Sequence, residues 1–99
     1  MASDSDRAAL SAQGGRVWFV YVIECVDGSL YTGIAVDVAH RYAKHAAGKG
    51  AKYTRSHPPL RIAAIQELPD RASAQRAEYR IKQLGTSEKH EFCRRNAPK

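Results

Sequence analysis

Sulfur is scarce in this chain of 99 residues, which holds two cysteines and one methionine. Cys25 and Cys93 stand far apart, so neither a disulfide framework nor a zinc site is expected, and both read as buried or half-buried thiols. No run of eighteen apolar residues occurs, which excludes a helical membrane span. Residues 1–16 (MASDSDRAALSAQGGR) also lack the apolar stretch of a secretory signal, and a cytoplasmic protein without a membrane partner is expected. Acidic residues are outnumbered, 10 Asp and Glu against 16 Lys and Arg, leaving a formal net charge of +6. That sign favours a polyanionic partner, nucleic acid foremost, although solvated lysines satisfy the same count.

What is present suits one small domain. Apolar residues make up 43% of the chain, enough for a single core and too few positions for a second domain. Residues 1–16 mix Ser, Asp, Ala and Gly without sustained periodicity and read as a disordered tail, residues 17–95 as the domain, and 96–99 as a C-terminal tail. VWFVYVIEC, from Val17 to Cys25, is apolar at odd and even positions alike and predicts a central strand covered on both faces. Asp27-Gly28 marks a turn, and LYTGI, Leu30 to Ile34, a second strand, so the pair forms a β-hairpin. Its loop length is open. A two-residue loop sets Tyr31 opposite Glu24, away from Tyr21; a three-residue loop with a left-handed Gly28 sets it opposite Ile23 and puts both tyrosines on one face.

Asp37 caps a helix to about Ala47, with Val38, Tyr42 and Ala46 at helical spacing and Arg41 and His45 sharing a face. GKGAKYTRSHPP, from Gly48 to Pro59, reads as a loop because of its glycines and prolines. Leu60 to Leu68 predicts a third strand. Asp70 caps a helix to Leu84, Gly85 closes it, and a last helix runs from Thr86 or Ser87 to about Arg95. The order is β-β-α-β-α-α without internal repeat: an α+β fold with a small, mainly antiparallel three-stranded sheet flanked by helices.

Several residues carry chemistry. Glu78 falls on the apolar stripe of Ala74, Ala77, Ile81 and Leu84, where an ionised acid costs several kcal/mol unless compensated. A metal ion is one partner for it, and Lys82 at i+4 is the other. Tyr21 and Tyr31 serve as ordinary strand residues or, with a pKa lowered by a neighbouring cation, as a base. Arg41 either clamps a phosphate or is a solvated surface residue, and His45 is a ligand or a satisfied structural histidine. Lys49, Lys52 and Arg55 with Tyr53 form a basic loop with an aromatic among its cations, suited to backbone neutralisation and base stacking.

In their order these residues resemble the GIY-YIG endonucleases. The two signature triplets stand as Phe19-Val20-Tyr21 and Tyr31-Thr32-Gly33, followed by Arg41, His45 and Glu78, and the resemblance runs from about Val17 to Arg95. LYTGI, HRYAKH, GKGAKYTR and AEYRIKQL are similar to the small stand-alone bacterial members of the UPF0213 type, and more distantly to a eukaryotic structure-selective nuclease. The resemblance implies hydrolysis of DNA phosphodiesters with one Mg²⁺ or Mn²⁺, in repair, recombination or processing. It implies Glu78 as metal ligand, Arg41 on the scissile phosphate, and Tyr21 and Tyr31 positioning and deprotonating the nucleophile, with His45 in the same catalytic set. Mg²⁺ keeps several waters, so one carboxylate suffices when phosphate oxygen supplies a further ligand.

Two departures bear on the chemistry. Phe19 replaces the first glycine of the motif, and Ile34 stands where some members have a lysine, leaving His45 or Lys52 to lower the tyrosine pKa. The expected partner is DNA, single-stranded or branched forms included, bound by a monomer with room for a protein partner that supplies targeting. The alternative is a DNA-binding module with little or no turnover.

Overall fold

The computed structural model describes residues 16–98. The tail expected over 1–16 lies, but for Arg16, outside them. Strand β1 (Trp18–Cys25) is central, with β2 (Leu30–Ala35) on one side and β3 (Pro59–Leu68) on the other, both antiparallel to it. Helix α1 (Val38–Ala46) follows β2, a short helix α2 (Lys52–Ser56) precedes β3, and α3 (Arg71–Lys82) and α4 (Thr86–Arg95) complete the chain. The order is thus β-β-α-α-β-α-α. Glycines and prolines flanking the segment after α1 point to a loop, yet residues 51–57 contain neither, and one turn of helix fits between Gly50 and Pro58. His57 precedes a proline, which disfavours helical backbone there and stops α2.

The hairpin has the three-residue loop. Cys25 N–H donates to Ser29 O at 2.8 Å and Gly28 N–H to Cys25 O at 2.9 Å, with Gly28 at φ 88. This left-handed position suits glycine because it lacks a Cβ. Asp27 Oδ1 accepts from both the backbone and the hydroxyl of Ser29, which stiffens the turn. The register places Tyr31 opposite Ile23 and Gly33 opposite Tyr21, so the two tyrosines share a face.

The two faces of β1 carry separate halves of the core. Val20 and Val22 pack with Ala64 against Ala77 and Ile81 of α3, and Phe92 and Cys93 of α4 close over them. Tyr21, Ile23 and Cys25 pack with Ala35 and Val38, and Tyr42 of α1 joins them. This double burial explains the apolar run that marks β1. Truncating a core residue such as Ile81 to Ala costs roughly 2–5 kcal/mol.

Caps fall where expected. Asp37 accepts from His40 N–H and Asp70 from Ser73 N–H. Gly85, expected to close α3, instead caps α4, and its N–H donates to Glu88. Asn96 O accepts from Ile65 N–H at 2.9 Å, fastening the end of α4 to β3. Among the described residues no helix is long and apolar enough to cross a membrane.

Candidate active site

Tyr21 lies at the middle of β1 with 2% of its surface exposed, and its ring rests on Gly33 of the edge strand β2. A Cβ on Gly33 would meet the phenolic oxygen at 2.5 Å, so the absent side chain is what admits the ring. His45, in the last turn of α1, turns inward and is buried. Its Nε2 is 3.0 Å from the Tyr21 hydroxyl and its Nδ1 is 2.7 Å from Thr54 Oγ1 in α2. Gly50 leaves room for this imidazole, since a Cβ there would lie 2.4 Å from Nδ1. Val38 and His45, rather than Val38 and Ala46, are therefore the buried residues of α1. Thr54 and Gly50 were not singled out in the sequence because they sit in the segment read as a loop.

Tyr31 packs its ring 5.2 Å from that of His45. Tyr53 stacks with Tyr31 at 5.9 Å, and His57 stacks on Tyr53 at 4.1 Å. His57 Nδ1 is 2.7 Å from Asp27 Oδ2, which ties the end of this ladder to the hairpin turn. Tyr53 keeps 37% of its surface exposed. Lys49, Lys52 and Arg55 are all exposed along the loop and α2.

Arg41 is exposed one turn before His45, and its guanidinium favours the Tyr21 phenolate. Glu78 belongs to the opposite face, where α3 packs on β1 and β2, yet its charge still acts on Tyr21. The carboxylate is half-buried, with Lys82 Nζ at 3.1 Å from Oε2. This is the i+4 pairing that the helix spacing allows. Such partly exposed helix pairs contribute only about 0.3–0.5 kcal/mol.

The electrostatics correct one expectation. Burial, and next the neighbouring Tyr31, push the Tyr21 pKa up to about 12, and the opposing pull of Arg41 does not reverse this. His45 is driven the other way, downward, by burial first and by Arg41 second. The imidazole is neutral near pH 7 and is no cation that lowers the Tyr21 pKa.

Among the described residues there is no group of three or more His, Cys, Asp and Glu that could hold a metal. Glu78 is the acid at this site, and the nearby imidazole is engaged on both nitrogens. One carboxylate with solvent beside it fits a hard ion that retains water and takes further oxygen from a ligand; it does not fit zinc. Beside Arg41 a cleft of about 270 Å³ opens between β2 and α1, walled by Trp18, Ile34, Val36, Asp37 and His40.

A family model described as the GIY-YIG catalytic domain matches residues 17–91. A UPF0213 protein of Cupriavidus pinatubonensis is 49% identical over 79% of this chain and 87% of its own length. A UPF0213 protein of Halobacterium salinarum is 50% identical over 71% of this chain and 91% of its own length. The solution NMR structure of a UPF0213 protein from Bacillus halodurans shares 47% identity, covering 76% of this chain and 80% of that one, with a TM-score of 0.49.

Proposed function

Because the chain belongs to the GIY-YIG family, we propose that it is a metal-dependent endonuclease that hydrolyses phosphodiester bonds of DNA. The observation that supports this reading is the buried contact of Tyr21 with His45, with Tyr31 beside the imidazole and the charges of Arg41 and Glu78 acting on the Tyr21 phenol. Arg41, exposed at the surface, grips a phosphate oxygen with parallel hydrogen bonds and stabilises the charge that grows there. Tyr21 and Tyr31 align the attacking water, and the hydrogen-bonded Tyr21–His45 pair handles its proton. Glu78 would hold a divalent ion, which when bound would supply Lewis acidity for the phosphate and a lowered pKa for nearby water. The exposed Lys49, Lys52 and Arg55 neutralise the flanking backbone, and the cleft beside Arg41 has room for the adjoining nucleotide.

One observation favours the second reading, a DNA-binding module without useful turnover: Glu78 is engaged by Lys82. Labelled single-stranded, duplex and branched DNA incubated with wild type and Glu78→Ala, in Mg²⁺, Mn²⁺ or EDTA, separates the two. Metal-dependent cutting by wild type alone supports the nuclease. Binding without cutting on every substrate refutes it in favour of the module.

A further inference from the structure

The contact between Tyr21 and His45 admits two polarities, and they imply different chemistry. If Nε2 carries the imidazole proton, His45 donates to the phenol; if Nδ1 carries it, His45 accepts the phenolic proton. The far end of the network decides between them. Thr54 Oγ1 lies 3.0 Å from Ala51 O and 2.7 Å from His45 Nδ1. A carbonyl oxygen only accepts, so the single hydroxyl proton of Thr54 is committed to Ala51. Oγ1 then faces Nδ1 with a lone pair, and Nδ1 must bring the proton. Nε2 is left bare toward Tyr21, whose hydroxyl donates to it.

The opposite polarity fails at two places at once. It would set Thr54 Oγ1 against Ala51 O with no proton between them. It would also turn the Tyr21 proton toward Arg41, which offers only donors. His45 and Thr54 are each about 2% exposed, so water is not at hand to repair the defect beside Ala51.

We infer that Thr54 is a positioning residue, which fixes His45 in its Nδ1–H tautomer so that Nε2 stands ready to receive the proton of Tyr21. The inference rests on the nuclease reading for its catalytic consequence, while the tautomer itself is a property of the fold. When the proton leaves Tyr21 Oη, the Oη–H bond breaks and an Nε2–H bond forms. The phenolate then faces Arg41, and the imidazolium keeps its Nδ1–H bond to Thr54. The groups bearing on this pair are Arg41 of α1, Tyr31 of β2 and Glu78 of α3. None of them contacts Nδ1, so Thr54 alone sets its state among the residues named.

The test is ¹⁵N NMR of histidine-labelled protein near pH 7, with the His45 signal assigned by His45→Gln, on wild type, Thr54→Val and Thr54→Ser. Wild type should show Nδ1 protonated and Nε2 bare; Thr54→Ser should match it, and Thr54→Val should lose this preference. In cleavage assays Thr54→Val should lower kcat about 10- to 100-fold with KM for DNA unchanged, as for other residues that orient an imidazole, and Thr54→Ser should restore it. A wild-type Nε2–H tautomer overturns the inference. So does a Thr54→Val protein that changes tautomer but keeps its kcat. Should wild type show the Nδ1–H tautomer, lost in Thr54→Val, yet cut no DNA, the role of Thr54 in the fold is upheld and the nuclease reading is what falls. If Thr54→Val does not fold, Thr54→Ala, which also removes the hydroxyl, takes its place with the same expected loss of the tautomer preference.

Discussion

Gly33→Ala perturbs the site without removing any polar group. The added Cβ would stand 2.5 Å from Tyr21 Oη and 2.7 Å from Cζ. Ordinary contact begins near 3.4 Å, so the ring must retreat by 3.4 − 2.5, about 0.9 Å. It cannot swing into solvent, being 2% exposed, and its retreat stretches or bends the 3.0 Å bond to His45. Overpacking of this kind costs about 1–3 kcal/mol and a weakened hydrogen bond about 1 kcal/mol. Together they lower the unfolding midpoint by roughly 8–30 °C at the 4–8 °C per kcal/mol usual for this size. A displacement near 1 Å at reacting groups also costs about 100-fold in rate. Gly28→Ala is the control: Gly28 has φ +88 but nothing within 4 Å of its missing Cβ, so the change costs only about 1–2 kcal/mol of backbone strain and leaves cleavage intact. Thermal melts followed by circular dichroism, with cleavage rates taken where all variants are folded, supply both readouts. A Gly33→Ala protein that melts with wild type and cuts at its rate refutes the packing argument.

Tyr21→Phe keeps the ring but leaves His45 Nε2 buried without its donor, so it should lose about 1–3 kcal/mol of stability and abolish cleavage; full activity would remove Tyr21 from the chemistry. Absorbance titration at alkaline pH should find a phenol still protonated at pH 11 and missing from the Tyr21→Phe titration, since burial raises Tyr21 to about 12. Its folded value lies above the unfolded value of 10.0, so this contribution to stability is complete below pH 10 and fades as pH rises toward 12. His45 acts at the acid end: its folded pKa lies below 6.5, so its contribution is complete above that pH and is lost as pH falls through the depressed value. The drop in melting temperature from pH 7 to pH 5 should therefore be smaller in His45→Gln, and equal drops would contradict the burial argument. Neutralising Lys52 and Arg55 with glutamine should reduce the salt slope of DNA binding by about 1 per cation; an unchanged slope would place the DNA elsewhere.

The sheet was legible because its signals are strong and local. β1 is apolar on both faces, and Asp-Gly marks the turn, but the turn residues fit two loop lengths and only the folded register chooses between them. Glu78 was conspicuous because an acid on an apolar stripe breaks the pattern of its helix. Its engagement by Lys82 was one of two partners that the spacing allowed. Thr54 was illegible for a physical reason: a single helical turn has no periodicity to display, and the glycines and prolines around it dominate the composition. The inward turn of His45 was equally hidden, since Ala46 fits the same stripe and only the space left by Gly50 admits an imidazole. The tyrosine electrostatics depend on depth of burial, which residue order does not express.

The bonds that orient His45 span short stretches of chain. His45 to Thr54 covers nine positions and Thr54 to Ala51 three, whereas Tyr21 lies twenty-four positions from the imidazole. The segment from His45 to Thr54 is thus a self-contained cassette that carries its own hydrogen-bond polarity, and the sheet contributes the phenol as a separate part. Grafting that cassette into another scaffold, with a strand tyrosine set against it, would transfer an oriented proton acceptor as one contiguous insertion, without rebuilding the long-range pairing around it.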